Sequence, residues 1–179
     1  QSPEGQILNK LANEEKADFA FNLHDQHDYY RCGEHGKSAT LAFLAPPFNA
    51  EQRTDESRLK AMAMISLLAN AANEFLPQGI ARYDDEFSAR SFGDAIAGKG
   101  ISTILIESGH YPKDASRQVA RAMNVYILLH ALTQLCLDNN DGHIKYKDQA
   151  QLEDLAKQYW LIPENEEYKV CDVLLKNIG

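Results

Sequence analysis

The sequence has 179 residues, of which 44% are hydrophobic and 25% charged, as is typical of one soluble globular domain with its own core. Its formal net charge of −8 argues against a nucleic-acid partner, because phosphate binding requires clustered lysines and arginines. The apolar stretches are too short to span a membrane, no signal peptide is visible, and three cysteines without metal-type spacing fit a reducing compartment. We therefore expect a cytoplasmic protein.

The first half of the chain predicts two helices and two strands. Ser2, followed by proline and glutamate, is a good start for the first helix. Residues 18–24 alternate apolar and other side chains as a strand does, and a polar loop at 25–37 separates them from a second strand at 39–44. Apolar residues at helical spacing then predict a long helix over residues 55–76.

The second half begins with a charged connection at residues 82–86 and contains the most apolar strand, at 101–107. Four helices are predicted here, at residues 91–97, from 114 or 116 to 137, at 149–159 and at 166–176. The helix ending at 137 is apolar nearly all round, so we expect it to be well buried. Helices alternating with strands favour an α/β fold with a mixed sheet flanked by helices, and no linker indicates a second domain.

Two polar residues end predicted strands, His24 the first and Glu107 the most apolar one. Ligands of open α/β sheets bind at the carboxyl ends of strands, so these two residues can share one site. A neutral imidazole suits Zn²⁺, and a carboxylate can act as general base toward a metal-bound water. A histidine at a strand end is nevertheless more often a structural hydrogen-bonding group than a ligand.

Several segments together resemble the catalytic domain of zinc carboxypeptidases of the carboxypeptidase A type, in a bacterial branch of that family. In chain order they are FNLHDQ at 21–26, AFLAPPFN at 42–49, RYDDEF at 82–87, FGD at 92–94 and ILIESGHYP at 104–112. The resemblance covers residues 1–137 and leaves 138–179 as a C-terminal helical extension. It implies that the chain is the C-terminal part of a single catalytic domain with the zinc carboxypeptidase fold.

The resemblance implies a zinc-dependent hydrolase that cleaves a C-terminal peptide or amide bond of a peptide or acyl-amino-acid substrate. His24 would bind zinc, and Glu107 would activate the zinc-bound water and pass its proton to the leaving amine. Arg82, Arg90 and His110 are the candidates for contacts with the substrate.

The chain departs from the family first in its metal ligands: none of its six histidines is followed three residues later by a glutamate. The family's His-x-x-Glu ligand pair, which lies upstream of the matching region, is therefore missing. We expect an N-terminally truncated domain that is inactive alone.

Other interpretations stay open. His27 lies three residues after His24 and could join it in a weak metal site, and Tyr83 or Tyr111 could replace a mobile tyrosine of the family. Two aspartates lie close to Arg82 in the sequence, which favours an ion pair over a contact with the substrate. The chain could be a non-catalytic interaction module that binds a partner, or a second copy as a homodimer, through an exposed sheet edge. It could also be a related zinc amidohydrolase acting on N-acyl amino acids.

Overall fold

The computed structural model describes residues 2–15, 17–34, 36–136 and 148–167. Its elements, in chain order, are α1 (Pro3–Glu14), β1 (Phe19–Asp25), β2 (Tyr30–Cys32), β3 (Leu41–Leu44), α2 (Glu56–Asn73), β4 (Ile80–Arg82), α3 (Phe92–Ala97), β5 (Ser102–Ser108), α4 (Gln118–Cys136), α5 (Gln149–Tyr159) and β6 (Asn165–Glu167). They form an α/β fold in which helices flank a mixed sheet, as the sequence predicts. No helix in these ranges is long and apolar enough to cross a bilayer.

The main sheet has four strands in the order β1-β5-β3-β4. β1 pairs parallel with β5, and β3 pairs parallel with β4, whereas β3 and β5 are antiparallel. The register places one residue of each strand in a single row, namely His24, Glu107, Ala42 and Ala81. A residue at the end of β1 therefore meets a residue at the end of β5 and the small side chains of the other two strands.

The core lies on one face of this sheet. Alternate residues of β5, Ile104 and Ile106, pack there with Leu41 and Phe43 of β3 against α2, α4 and α5. The helix α2 is buried on most sides because it lies between the sheet and α5. Residues of the row just described face away from this core, where a smaller cluster of alanines and tyrosines covers the sheet.

Three short strands were not predicted. β2 lies in the segment expected to be a polar loop, β4 ends where a charged connection was expected to begin, and β6 occupies the expected start of the helix at 166–176. Each has three residues, which is too short for a period in hydrophobicity, and each forms because a neighbour pairs with it: β2 with β6, and β4 with β3. The remainder of 166–176 lies outside the described residues.

The expectation that α4 is well buried is wrong. Asp114 caps its first turn by accepting from the Val119 N–H, and one face, which includes Met123 and Ile127, meets the core. The opposite side is not covered by any described residue: Val125, Leu129 and Leu132 are 53–60% exposed. An all-round apolar sequence cannot indicate which face is covered when only one face has a neighbour.

Candidate functional site

The structure brings His24 and Glu107 together. They are register partners on adjacent parallel strands, so their side chains leave the sheet on the same face. The Nδ1 atom of His24 lies 3.6 Å from the Oε1 atom of Glu107. The histidine side chain is 53% exposed and that of the glutamate 8%, so the pair is open to solvent on the histidine side only.

Glu107 is a buried carboxylic acid near the sheet's carboxyl edge. Burial raises its pKa above the usual value, the neighbouring His24 opposes this shift, and the carboxylate of Asp25 adds to it. A carboxyl group whose pKa is raised in this way is a better proton acceptor than a solvated glutamate, as a general base requires.

Two tyrosines lie beside the glutamate. Ala42 and Ala81 continue its row across the sheet, and the rings of Tyr30 and Tyr83 pack on these small side chains. Burial, and then the negative charge of Glu107, raise the pKa of Tyr83, so the phenol stays protonated next to the carboxylate. Tyr30 was not singled out by the sequence, because it lies on one of the short unpredicted strands.

The tyrosines border a cavity of about 390 Å³. Its lining consists of Tyr30, Tyr83, Asp84, Glu86, Asn165 and Glu167. The lining contains three carboxylates and no cationic side chain, so this side of the site does not offer the charge that would bind a carboxylate.

Arg82 belongs to a structural cluster. Its guanidinium lies 4.8 Å from the centre of the Trp160 ring and pairs with the carboxylate of Glu164, and its side chain is 10% exposed. Both partners belong to the segment 148–167. Arg82, which lies in β4, therefore links this segment to the sheet. Arg82 is thus in an ion pair, as the sequence favours, but its partner is Glu164 and not one of the two neighbouring aspartates.

Arg90 and His110 are not in contact with the pair in the part of the chain that the structure describes. Arg90 lines a separate cavity of about 550 Å³ between α1 and α3. His110 accepts a hydrogen bond on its backbone carbonyl from the Thr40 hydroxyl at 2.9 Å. The ring of His27 stacks on Tyr29 at 5.0 Å.

The segments that follow His24 and Glu107 pass close to each other. Gln26 is buried; its Nε2 donates to the carbonyl of Ala39 at 2.9 Å, and its Oε1 accepts from Asn165 at 2.9 Å. Gly109 passes directly beside it: a Cβ atom there would lie 1.9 Å from the Ala39 oxygen and 2.5 Å from Gln26 Nε2. Glycine at this position therefore lets the end of β5 pass close to the glutamine that follows β1.

The described residues do not complete a zinc centre. No group of three histidine, cysteine, aspartate or glutamate side chains within those ranges could hold a metal ion. A catalytic zinc site uses three protein ligands and an open position. His24 and Glu107 therefore amount to one imidazole ligand and one adjacent carboxylate.

Comparison with known proteins adds no family. A scan against protein-family models finds no match to this chain, and a search of curated proteins finds no significant similarity. The likeness to zinc carboxypeptidases thus rests on the sequence segments quoted above.

Proposed function

We propose that His24 and Glu107 belong to the active site of a zinc-dependent hydrolase that cleaves a C-terminal peptide or amide bond. The observation that carries the proposal is the 3.6 Å approach of an imidazole nitrogen to a buried carboxylate at the carboxyl ends of adjacent parallel strands. The segments resembling zinc carboxypeptidases supply the reaction class. The remaining ligands have to come from outside the described residues.

The two residues have different roles in this proposal. His24, with its ring half-exposed, supplies a nitrogen ligand, and a zinc ion bound there would acidify a water molecule. Glu107 takes the proton of the attacking water on its carboxylate and returns it to the leaving amine, so that amide and water become acid and amine. The raised pKa of Glu107 suits both halves of this transfer.

A second candidate function is an interaction module. The observation in its favour is the exposed apolar stripe of Val125, Leu129 and Leu132 on α4, together with β1, which has a pairing partner on one side only among the described strands. Zinc binding separates the two candidates, since an interaction module has no need of it.

Calorimetric titration with zinc chloride in chelator-free buffer tests the proposal. Because one imidazole and one carboxylate are an incomplete site, we expect weak zinc binding, whose dissociation constant still rises roughly tenfold in His24→Ala because the nitrogen ligand is lost. His110→Ala is the matched control and should bind as the wild type does. Equal affinities for the wild type and His24→Ala would refute the proposed role of His24.

A further inference from the structure

Arg117 occupies a strained backbone position between β5 and α4. Its φ of 56° lies in the left-handed region, which is unfavourable for a residue other than glycine. Such a conformation persists only when the surroundings fix it. The contacts of the Arg117 side chain identify what fixes it here.

The guanidinium group of Arg117 donates to acceptors on two strand ends. Nη1 donates to the carboxylate of Asp25 and, at 2.9 Å, to the carbonyl of Ser108; Nη2 donates to the carbonyl of Gln26 at 2.9 Å. Asp25 and Gln26 directly follow His24, and Ser108 directly follows Glu107. One side chain thus joins β1 to β5 immediately beyond the candidate site.

The Ser108 carbonyl is part of a closed ring of hydrogen bonds with Gln26 and Arg117. The Gln26 N–H donates to the Ser108 oxygen at 2.9 Å, the oxygen that Arg117 also contacts. The ladder between β1 and β5 has its last register pair at Asp25 and Ser108. Arg117 therefore stabilises the junction at the point where the regular strand pairing stops.

Arg117 acts from the opposite side of the sheet. Successive side chains of a strand alternate between faces, so Asp25 and Ser108 point away from the face that carries His24 and Glu107. Ser108 Oγ accepts from Asn124 of α4 at 2.8 Å, which places it on the helix side. The hydrogen bonds of the Arg117 guanidinium go to Asp25, Ser108 and Gln26 and not to the imidazole or the carboxylate of the site, although Arg117 and His24 both line a cavity of about 450 Å³.

We propose that Arg117 is a positioning residue that sets the separation of His24 and Glu107 by clamping the ends of their two strands. This rests on the proposed function, since the separation matters only if the pair acts as a unit. The planar guanidinium group holds several N–H donors in a fixed arrangement and can bond three acceptors at once. The single ammonium group of a lysine has no such arrangement. The clamp offsets the strain of the left-handed backbone at the same residue.

Arg117→Gly tests the clamp, because glycine relieves the backbone strain and removes only the side chain. Lys113→Gly is the matched control: Lys113 lies in the same loop with a φ of 65° and no contact to either strand end among the described residues. Two quantities are measured by NMR: hydrogen exchange of the Gln26 amide, and the nuclear Overhauser effect between the His24 ring and β5.

In Arg117→Gly we expect hydrogen exchange of the Gln26 amide to accelerate roughly tenfold or more, and the nuclear Overhauser effect between the His24 ring and β5 to weaken. The unfolding midpoint of Arg117→Gly should equal that of Lys113→Gly. Guanidinium chloride at about 50 mM, well below denaturing concentrations, should restore both quantities in Arg117→Gly and leave the wild type unchanged. Arg117→Lys should restore them in part.

Unchanged exchange and unchanged contacts in Arg117→Gly would overturn the proposal, as would equal changes in Lys113→Gly. Zinc affinity, measured on the same samples, separates this result from the proposed function. Faster exchange in Arg117→Gly, together with a zinc affinity that is the same in the wild type and in His24→Ala, would support the clamp and refute the hydrolase site. Faster exchange with zinc affinity weakened roughly tenfold would support both.

Discussion

At the scale of single residues, the carboxyl group of Glu107 is buried beside a half-exposed imidazole, an arrangement that costs stability. Its pKa is higher in the folded protein than in the unfolded chain, so the folded state keeps this proton to a higher pH. The free energy of unfolding should therefore fall as the pH rises from about 4.3, the usual pKa of glutamate, through the raised value.

Glu107→Gln removes this loss. We expect the variant to exceed the wild type in unfolding free energy at pH 7, and the difference to shrink toward pH 4. Urea unfolding at the two pH values measures it. Glu4 is a control for which the pH dependence of stability should have the opposite sign, because hydrogen bonds from its own backbone N–H and the Ser2 hydroxyl lower its pKa. A Glu107→Gln protein less stable than the wild type at pH 7 would show that the carboxylate is well compensated in the fold.

Gly109 leads to a second prediction at this scale. Gly109→Ala should lower the unfolding free energy by about 1–3 kcal/mol, because the new methyl group would overlap the Ala39 carbonyl and displace Gln26. Gly5→Ala in α1 is the control, since its Cβ would meet its nearest neighbours at 3.5 Å, an ordinary contact. Urea unfolding of both variants is the measurement, and equal stabilities would contradict the close approach at Gly109.

At the scale of elements, the strands β1 and β5 determine the site and α4 supports them from one side only. Ile127 on the covered side of α4 is fully buried, whereas Leu129, two residues later, is 60% exposed. Ile127→Ala should therefore cost about 2–5 kcal/mol, and Leu129→Ala less than about 0.5 kcal/mol. Chemical denaturation distinguishes them, and a similar cost for both would mean that another part of the protein covers the outer face.

The longer elements could be predicted from the sequence, and the strands of only three residues could not. The periodic helix over 55–76, the apolar strand at 101–107 and the helix at 149–159 correspond to α2, β5 and α5 within a few residues. β2, β4 and β6 have three residues each and exist through their pairings, which a local pattern does not contain.

The same limit applies to the site. His24 and Glu107 could be predicted because both end long strands, and strand ends are where α/β sheets bind ligands. Their register, the tyrosines beside them and the clamp by Arg117 depend on contacts between segments far apart in sequence. Arg82 has the charge of a substrate ligand, and its stacking on Trp160 could be seen only in three dimensions.

At the scale of the whole molecule, contacts of Tyr159 and Arg82 hold the segment 148–167 against the rest of the protein. Tyr159 of α5 is completely buried, and its hydroxyl accepts from the backbone N–H of Ala45. Arg82 stacks on Trp160 and pairs with Glu164 of the same segment. The last described strand, β6, then closes a two-stranded sheet with β2 beside the candidate site.

Arg82→Ala should consequently act on stability. We expect the unfolding free energy to fall by about 1–3 kcal/mol, since the stacked and paired guanidinium is lost from a buried position. Arg90→Ala, at an exposed arginine, should change it by less than about 0.5 kcal/mol. Thermal or urea unfolding measures both, and an Arg82→Ala protein of wild-type stability would return Arg82 to the candidates for substrate binding.

The most direct test of the central claim, that His24 and Glu107 form a zinc-dependent unit, is a zinc titration followed through the NMR signals of the histidine rings. If the pair binds zinc, the His24 signal shifts or broadens at a lower zinc concentration than the signals of the other histidines. We also expect Glu107→Gln to weaken this response. A His24 signal that stays unchanged while zinc perturbs other histidines would contradict the claim.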